Sequence, residues 1–261
     1  MNRRGGFSLI EVVIVIAVIA ILASMAVPYA ANVIDQSREE ATRKEMEELY
    51  KTIAGDPAVP TPGFVGDMGR LPTGLVQLNV QGTQPLGGTG TLGVKVGWFG
   101  PYMNSGFDPN GYLNDAWGNP YAYSSPGAGQ IRSAGRDRTM STADDLVHPP
   151  NAVNINGRLL VNLHVWSPNP PPGQFIQNPQ PAAYPGMTST VSFRYSNSGV
   201  EAAAPANTPP LSPPYSFANF HSAFHAVTAV CTLPPDPQVS GQAVVFVPGN
   251  NQQAQLNLYL R

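Results

Sequence analysis

The chain has 261 residues, of which only 11% are charged, and its formal net charge is −2. Its 28 prolines and 26 glycines indicate a loop-rich, sparsely charged protein, which favours an exported protein over a cytosolic enzyme. A single cysteine excludes a disulfide within the chain. No basic patch follows the first helical region, so we expect no nucleic-acid binding.

The first predicted element is an apolar segment near the amino terminus. Residues 12–31 carry no charge, and about 20 helical residues match a hydrocarbon core of about 30 Å. Arg3 and Arg4 precede the segment, and such positive charge stays on the cytoplasmic side, which places the rest of the chain outside the cytoplasm. The alternative is a cleaved secretory signal peptide, but "ASM" at residues 23–25 resembles its cleavage site only loosely.

The stretch "GFSLIE" at residues 6–11 resembles the prepilin signature of type IV pilins and type II secretion pseudopilins. The resemblance implies that a membrane aspartic peptidase, the prepilin peptidase, cuts between Gly6 and Phe7 and methylates the new amino terminus of Phe7. Residues 1–6 would then be a leader that takes both arginines with it. The net charge would move from −2 to −4.

Glu11 is a carboxylate at the start of the apolar segment, where an unpaired charge is expensive in lipid. The resemblance implies that Glu11 neutralises the amino-terminal amine of a neighbouring subunit during filament assembly. Such a pair attracts strongly where little water screens it. The alternative is a carboxylate that reaches water at the membrane face.

The apolar segment continues without a break into a charged, helix-forming stretch. Met46, Leu49, Tyr50 and Ile53 recur at helical spacing on one face, and the stop signal "GDP" follows at residues 55–57. The sequence therefore predicts one helix within residues 7–55, about 70 Å long, with its transmembrane part at residues 7–31.

Two further features of this helix follow from side-chain chemistry. Glu40 is predicted to pair with Lys44, and Glu47 with Lys51, because residues four apart are neighbours on a helix surface. Pro28 is expected to bend the helix or melt it locally, because its ring removes one backbone hydrogen bond.

Residues 56–149 form the second predicted domain. "GDMGRLPTGLVQL", "GWFGPYMNSGFDPNGYLNDAWGNPYAY" and "IRSAGRDRTMSTADDL" resemble, in this order, the globular domain of the type II secretion major pseudopilin. Trp117, Tyr121 and Tyr123 are typical of a short antiparallel sheet, so a packing role against the helix is expected. "GNP" at residues 118–120 is typical of a turn.

An acidic loop closes this domain and is the candidate cofactor site. Asp137, Ser141, Asp144 and Asp145 supply hard oxygen atoms suited to Ca²⁺. The resemblance implies calcium in this loop, although Arg138 replaces a usual glycine and Ser141 opens the segment where Gly-Thr is usual. The alternative is a solvated loop whose aspartates pair with Arg136 and Arg138.

Residues 150–261 lie outside the pseudopilin resemblance and form the third predicted domain. Six apolar or alternating runs, separated by Pro, Gly and Asn, predict a β-sandwich of about 100 residues. Their order weakly resembles transthyretin-like and carboxypeptidase-regulatory-like modules. The six runs are "GRLLVNLHVWS", "STVSFRYS", "YSFANF", "AFHAVTAVCTL", "QAVVFVPG" and "AQLNLYLR".

Two residue types in this third domain could carry chemistry. Cys231 alternates with apolar neighbours and is expected to be a small buried side chain, with an intermolecular bridge or a reactive thiol as the alternative. His221 and His225 are four residues apart, a spacing that aligns metal ligands only on a helix. Because their stretch is predicted to run from a turn into a strand, no metal site is expected there.

Together these observations predict an α+β protein in which a long amino-terminal helix packs on a small antiparallel sheet and precedes a β-sandwich. The sequence contains no catalytic motif, so the predicted function is a non-enzymatic structural subunit, a pilin or pseudopilin, in a periplasmic or surface filament of a type II secretion or type IV pilus-like system. Expected partners are related pilin subunits, the prepilin peptidase and an inner-membrane assembly platform. The alternative is a minor subunit that displays the sandwich as an adhesive or cargo-recognition head.

Overall fold

The structure is a computed structural model of the 261-residue chain. It describes residues 8–56, 61–103, 108, 110–124, 129–169, 171–204 and 213–261, except the side chain of Met25. Its architecture is the predicted α+β arrangement, in which a long helix precedes small antiparallel sheets and then a β-rich domain. The predicted fold class is confirmed, whereas the exact domain boundaries stay predictions.

Helix α1 runs over Leu9–Ala54 as one continuous element of 46 residues. It begins at a capping box, in which Ser8 Oγ accepts the Glu11 N–H (3.3 Å) and Glu11 Oε2 accepts the Ser8 N–H (2.9 Å). It ends at Gly55, whose φ of 86° few side chains tolerate. The helical assignment passes through Pro28, so the expected local melting does not occur.

The two halves of α1 meet different surroundings. Residues 9–34 are exposed along their described length, while Met46, Leu49 and Ile53 are buried as the periodicity predicted. The Glu47–Lys51 pair forms at 2.8 Å. The predicted Glu40–Lys44 pair is wrong, because Glu40 has no ion pair among the described residues. Arg43 instead bonds Glu39 at 2.8 Å.

Short elements pack on the carboxyl-terminal half of α1 and enclose the first core. They comprise helix α2 (Gly63–Met68), the 3-10 turns Leu75–Leu78, Thr91–Gly93 and Gly111–Leu113, the antiparallel pair β1 (Gly88–Thr89) and β2 (Lys95–Val96), and the antiparallel sheet β3 (Ala122–Ser124), β4 (Gln130–Ser133) and β5 (Leu146–His148). The buried apolar side chains of this first core are Met46, Leu49, Ile53, Phe64, Val65, Met68, Leu75, Leu78, Tyr112, Tyr121, Ile131 and Leu146.

Two four-stranded sheets enclose the second core, as expected for a sandwich. The strands are β6 (Asn156–Ser167), β7 (Gln174–Gln177), β8 (Thr188–Asn197), β9 (Val200–Ala203), β10 (Tyr215–His221), β11 (Ala223–Thr232), β12 (Val239–Val247) and β13 (Gln253–Leu260). One sheet has the order β10-β6-β13, with β7 also paired to β6, and the other has the order β12-β11-β8-β9. All six predicted runs contain a strand, whereas the short strands β7 and β9 were not predicted.

Strand β13 is the unexpected part of the topology, because it pairs parallel to β6 over its whole length. A parallel pair requires a crossover connection, and here the chain passes through β7 to β12 before it returns. The last strand therefore lies beside the first strand of the sandwich. This long-range pairing ties the two ends of the domain together.

Cys231 lies on the inner face of β11 and is fully buried in the second core. Burial raises the pKa of its thiol to about 11, so the reactive thiolate is disfavoured. The predicted role as a small buried side chain is confirmed. The neighbouring inward residues Val227, Ala229 and Leu233 are buried with it.

Hydrogen bonds join α2 to the β8–β9 hairpin of the sandwich. Ser196 Oγ donates to the carbonyl of Asp67 (2.6 Å), and the Gly199 N–H donates to the carbonyl of Met68 (2.9 Å). Glu201 Oε1 accepts the Thr91 N–H (2.7 Å) from the same region. The sandwich is therefore docked on the pseudopilin-like region through peptide groups that need close backbone approach.

Gly69 lies where the two backbones approach so closely that a side chain would not fit. It has φ of 71°, and a Cβ there would overlap the Ser196 carbonyl group, whereas Gly82 has φ of 55° with open space around its Cβ position. We expect Gly69→Ala to lower the free energy of unfolding by about 3 kcal/mol, combining backbone strain with overpacking. Gly82→Ala should cost about 1 kcal/mol from strain alone. Thermal unfolding of the full chain in detergent compares the two, and equal losses would contradict the close-approach argument.

Candidate functional site

The amino-terminal part of α1 is an apolar surface on all sides. Among the described residues this is the single helix long and apolar enough to cross a membrane. A helix that is apolar all round requires lipid or other protein around it. The exposed large side chains are Leu9, Ile10, Val12, Val13, Ile14, Val15, Ile16, Val18, Ile19, Ile21, Leu22, Val27, Tyr29, Val33 and Ile34.

The structure describes the predicted assembly residue but not the two predicted processing residues. Gly6 and Phe7 lie outside the described residues. Glu11 lies in the first turn of α1, where its carboxylate accepts the Ser8 N–H. The cleavage, the methylation and the role of Glu11 in assembly therefore stay predictions.

Asp115 is the hub of the turn that follows the 3-10 segment Gly111–Leu113. Its side chain is buried, and Oδ1 accepts the N–H groups of Trp117 (3.0 Å) and Asn119 (2.8 Å). Its Oδ2 accepts Ser133 Oγ–H (2.6 Å) and Asn119 Nδ2–H (3.1 Å). Four donors compensate the burial of one carboxylate, so the turn and β4 are held together.

The same turn is bonded to three polar residues of α1. The Ala116 N–H donates to Thr42 Oγ1 (3.1 Å), and Trp117 Nε1–H donates to Asp35 Oδ1 (3.4 Å). Tyr121 OH donates to Glu45 Oε2 (2.9 Å). Burial raises the pKa values of both the Glu45 carboxyl and the Tyr121 hydroxyl.

Trp117 and Tyr121 were predicted to have packing roles alone, and their hydrogen-bond partners on the helix were not predicted. Both aromatic side chains do pack against the first core. The available signal was the spacing of Asp35, Thr42 and Glu45, which lie seven and then three residues apart and so share one helix face. Polar residues on a buried helix face indicate partners on the element that covers it.

The acidic loop is closed by hydrogen bonds between its own groups. Asp144 Oδ2 accepts the Asp137 N–H (2.9 Å), and Asp145 Oδ2 accepts the Ser141 N–H (2.8 Å). Thr142 Oγ1 donates to Asp144 Oδ1 (2.8 Å). The bonds from the Asp137 N–H and the Thr142 hydroxyl lower the pKa of the Asp144 carboxyl below its usual value.

Two non-glycine residues of the loop adopt backbone conformations that favour glycine. Arg138 has φ of 60° and Ser141 has φ of 72°. These are positions at which the resemblance implies glycine, or a segment that begins with it. The loop therefore keeps a tight-turn backbone despite the change of side chains, at a steric cost of about 1–2 kcal/mol for each residue.

The arginine-paired alternative is wrong in its details for the described residues. Arg136 Nε bonds Asp35 of α1 at 3.0 Å, across a cleft between the helix and the loop. Among the described residues Arg138 forms no ion pair within 4.0 Å, whereas Arg132 lies 4.0 Å from Asp145. Because Arg136 pairs with Asp35 on α1, the loop aspartates are bonded mainly by N–H and hydroxyl groups of the loop itself.

The oxygen donors of the acidic loop agree with the calcium prediction, whereas the arrangement of its acidic side chains agrees with it less well. Carboxylate, hydroxyl and carbonyl oxygens are the ligands that Ca²⁺ prefers. Among the described residues, however, no three His, Cys, Asp or Glu side chains are arranged around one point for a metal ion. A bound Ca²⁺ would therefore be coordinated by loop carbonyls and by Ser141 as well as by aspartates.

His221 and His225 lie on neighbouring strands, as their predicted turn-and-strand setting required. Both rings are buried, with centroids 5.0 Å apart, and His225 also lies 4.8 Å from the Phe193 ring. Desolvation lowers the pKa of His221 to about 3 and that of His225 to about 4. The pair belongs to an aromatic cluster of the second core that includes Phe193 and Phe220, with no third metal ligand among the described residues.

Known proteins are similar to the part of this chain that contains the long helix and the sheet packed on it. The prokaryotic N-terminal methylation motif matches residues 1–27, and the family described as type II secretion system protein G matches residues 31–148. Type II secretion system core protein G of Aeromonas hydrophila is 31% identical over 152 residues, which cover 56% of this chain and 92% of that protein. The chain belongs to the type II secretion protein G family.

Other core G proteins show the same partial coverage of this pseudopilin. The protein of Xanthomonas campestris pv. campestris is 30% identical over 51% of this chain and 80% of its own length. The protein of Escherichia coli K12 is 28% identical over 56% of this chain and 92% of its own length. The family match ends at the end of β5, so the sandwich is an addition to the pseudopilin fold.

We call Asp115 and the groups that donate hydrogen bonds to it the polar clamp. Asp108 of the same domain provides a control for it. Asp108 is exposed and also accepts an N–H two residues ahead, from Asn110 at 2.9 Å. We expect Asp115→Ala to lower the free energy of unfolding by about 3 kcal/mol, because it leaves buried donors unpaired. Asp108→Ala should change it by about 0.5 kcal/mol or less. Denaturant unfolding of the detergent-solubilised chain measures both, and similar losses would count against the clamp.

Proposed function

We propose that this pseudopilin is a structural, non-enzymatic subunit that polymerises through the apolar part of α1 into a periplasmic or surface filament of a type II secretion or type IV pilus-like system. The observation that carries the proposal is the exposed apolar surface of residues 9–34, joined to a domain of the protein G family. An apolar helix of this length suits both membrane storage before assembly and helix packing afterwards.

Orientation and partners follow from the charges around the helix. Arg3 and Arg4 precede the span, and positive charge is retained in the cytoplasm, so the chain is a single-pass inner-membrane protein with its folded domains outside. The prepilin peptidase then meets Gly6 at the cytoplasmic face. Other pilin-like subunits and the inner-membrane assembly platform are the proposed assembly partners.

Glu11 is the proposed register device of assembly. In the single chain its carboxylate bonds the Ser8 N–H, one residue from the proposed new amino terminus. A neighbour's ammonium group would give this carboxylate a full opposite charge in a setting with little water. A subunit seated one step out of register leaves both charges unpaired, which is expensive in such surroundings.

The loop at Asp137, Ser141, Asp144 and Asp145 is the proposed calcium site. A bound Ca²⁺ would neutralise three neighbouring aspartates and hold the loop against β5. The tight-turn backbone at Arg138 and Ser141 supports the proposal, since it turns the loop as a glycine-containing binding loop would.

Processing gives the first test of this function. Gly6→Val should leave the precursor uncut, because a branched side chain occupies the proposed cleavage position, whereas wild-type protein extracted from membranes should begin at methylated Phe7. Amino-terminal sequencing and mass spectrometry measure the two chains. A wild-type protein that begins near residue 27 would instead indicate an ordinary signal peptide.

Assembly gives a test of Glu11 with a matched control. Glu11→Gln should permit membrane insertion and cleavage but reduce filament incorporation at least tenfold, because it removes the charge and keeps the apolar span. Ser8→Ala removes the hydroxyl of the capping box and keeps the charge, so it should assemble nearly normally. Sheared-filament yield measures both variants. Normal polymerisation of Glu11→Gln would exclude the charge-pair role.

Calcium removal tests the loop in the full chain solubilised in detergent. A ligand of the folded state stabilises it by about 2.7 kcal/mol at a hundred times its dissociation constant. We therefore expect EGTA to lower the melting temperature, Ca²⁺ to restore it better than Mg²⁺, and Asp144→Ala to abolish the response. Thr142→Val loses a hydroxyl bond to Asp144 but keeps every carboxylate, so it should still respond. A calcium-loaded chain that ignores EGTA would refute the site.

A further inference from the structure

The outer surface of the β7-β6-β13 sheet gathers four rings from three strands. His164 and Tyr259 are stacked with centroids 4.5 Å apart, and Phe175 meets Tyr259 edge to face at 5.3 Å. Trp166 lies 5.1 Å from Phe175 and beneath the guanidinium of Arg261, also at 5.1 Å. We call these four rings and Arg261 the aromatic face.

Two rings of the aromatic face are open to solvent. Tyr259 is 56% exposed and Phe175 is 40% exposed, although both lie in strands of an ordered sheet. Inward neighbours on the same strands, such as Leu258 and Leu260, are almost fully buried. Exposed aromatic side chains clustered on a regular sheet mark an interaction surface, because scattered single residues would not share contacts.

Amide side chains continue the aromatic face along the same strands. The outward positions of β6, β7 and β13 include Asn162, Gln177, Gln253, Gln255 and Asn257. Asn162 donates to Asn257 at 3.0 Å and accepts from Asn178 at 3.0 Å, which fixes the orientation of these three side chains. Asn162 itself is buried, whereas Gln177, Gln253, Gln255 and Asn257 are exposed. An exposed amide side chain offers both donors and an acceptor, the combination that a hydroxyl group requires.

Charge on this sheet is almost absent. Strands β6, β7, β10 and β13 contain no Asp, Glu or Lys, and their arginine is Arg158, to which Arg261 adds one at the edge. Nucleic acids and anionic membranes bind through many cations, and basic partners through carboxylates. The composition therefore favours an uncharged ligand with both apolar and hydroxyl-bearing surfaces.

The hydrogen bonds that the described residues make between the two domains do not involve the aromatic face. The hydrogen bonds that Ser196, Gly199 and Glu201 make to the amino-terminal region all leave the β8–β9 hairpin, which belongs to the other sheet. The pseudopilin domain therefore does not account for the exposed rings.

We propose that the aromatic face binds a neutral polysaccharide. The C–H faces of sugar rings carry a weak positive charge, and the faces of Tyr259 and Phe175 carry the complementary negative charge of their π-systems. The neighbouring Asn and Gln side chains bond the sugar hydroxyls. The extended row of amides beside the rings suits a chain of several sugars rather than a single one. This inference concerns the sandwich alone and holds whether or not the subunit polymerises.

The test uses the full chain in a polyoxyethylene detergent, because sugar-headed detergents would compete for the site. Cellohexaose, mannohexaose and hexa-N-acetylchitohexaose, all uncharged, are the probes, and isothermal titration with Trp fluorescence measures binding. We expect saturable binding of at least one hexasaccharide. Tyr259→Ala should weaken it at least tenfold, while Tyr259→Phe, which keeps the ring, should bind within about threefold of wild type.

Phe99→Ala is the matched control, because Phe99 is 39% exposed but lies on the pseudopilin domain. It should bind as wild type does, and circular dichroism checks that all variants are folded. Failure of the wild type to bind any of the three probes, or equal weakening by Phe99→Ala, overturns the proposal. A change of sedimenting mass in Tyr259→Ala without sugar also overturns it, because a second copy would then cover the face. Filament yield of Tyr259→Ala should be normal, so failure of assembly and failure of binding are distinguishable.

Discussion

The structure depends on one continuous helix whose two halves have different surroundings. Residues 9–34 of α1 present apolar side chains on every side, while the following turns present Met46, Leu49 and Ile53 to a core of their own. Backbone hydrogen bonding within the helix is satisfied in both settings, so one element can pass from lipid or filament interior to a folded domain. The position at which side chains first become buried therefore fixes where the globular part begins.

A buried carboxylate joins the helix and the sheet. Asp115 collects donors from its own turn and from β4, and this turn in turn bonds Asp35, Thr42 and Glu45 on α1. Apolar contacts alone would let the sheet slide along the helix, because hydrophobic attraction is not directional. The polar clamp gives the packing a register, and it continues into the acidic loop through the bond between Asn119 and Gly135.

The sandwich is an addition with a separate core, attached by backbone contacts at Gly69 and Gly199. Such an attachment holds the domain in a defined place while one of its sheets stays free. Every subunit that carries the sandwich would therefore present the same surface at the same distance from the helix. The aromatic face and the assembly helix are consequently separate in structure, and each can be altered without the other.

Local patterns in the sequence determined the long helix, its carboxyl-terminal stop, the six main strands of the sandwich and the buried Cys231, because these depend on residues close together in the chain. They did not determine which distant groups meet. Arg136 bonds Asp35 rather than the loop aspartates, and Trp117 and Tyr121 bond the helix as well as pack on it. The pairing of β6 with both β13 and β7 also brought His164, Trp166, Phe175 and Tyr259 onto one face. Only the tertiary structure decides such partners, because they are set by where chain segments close in space and not by spacing along the sequence.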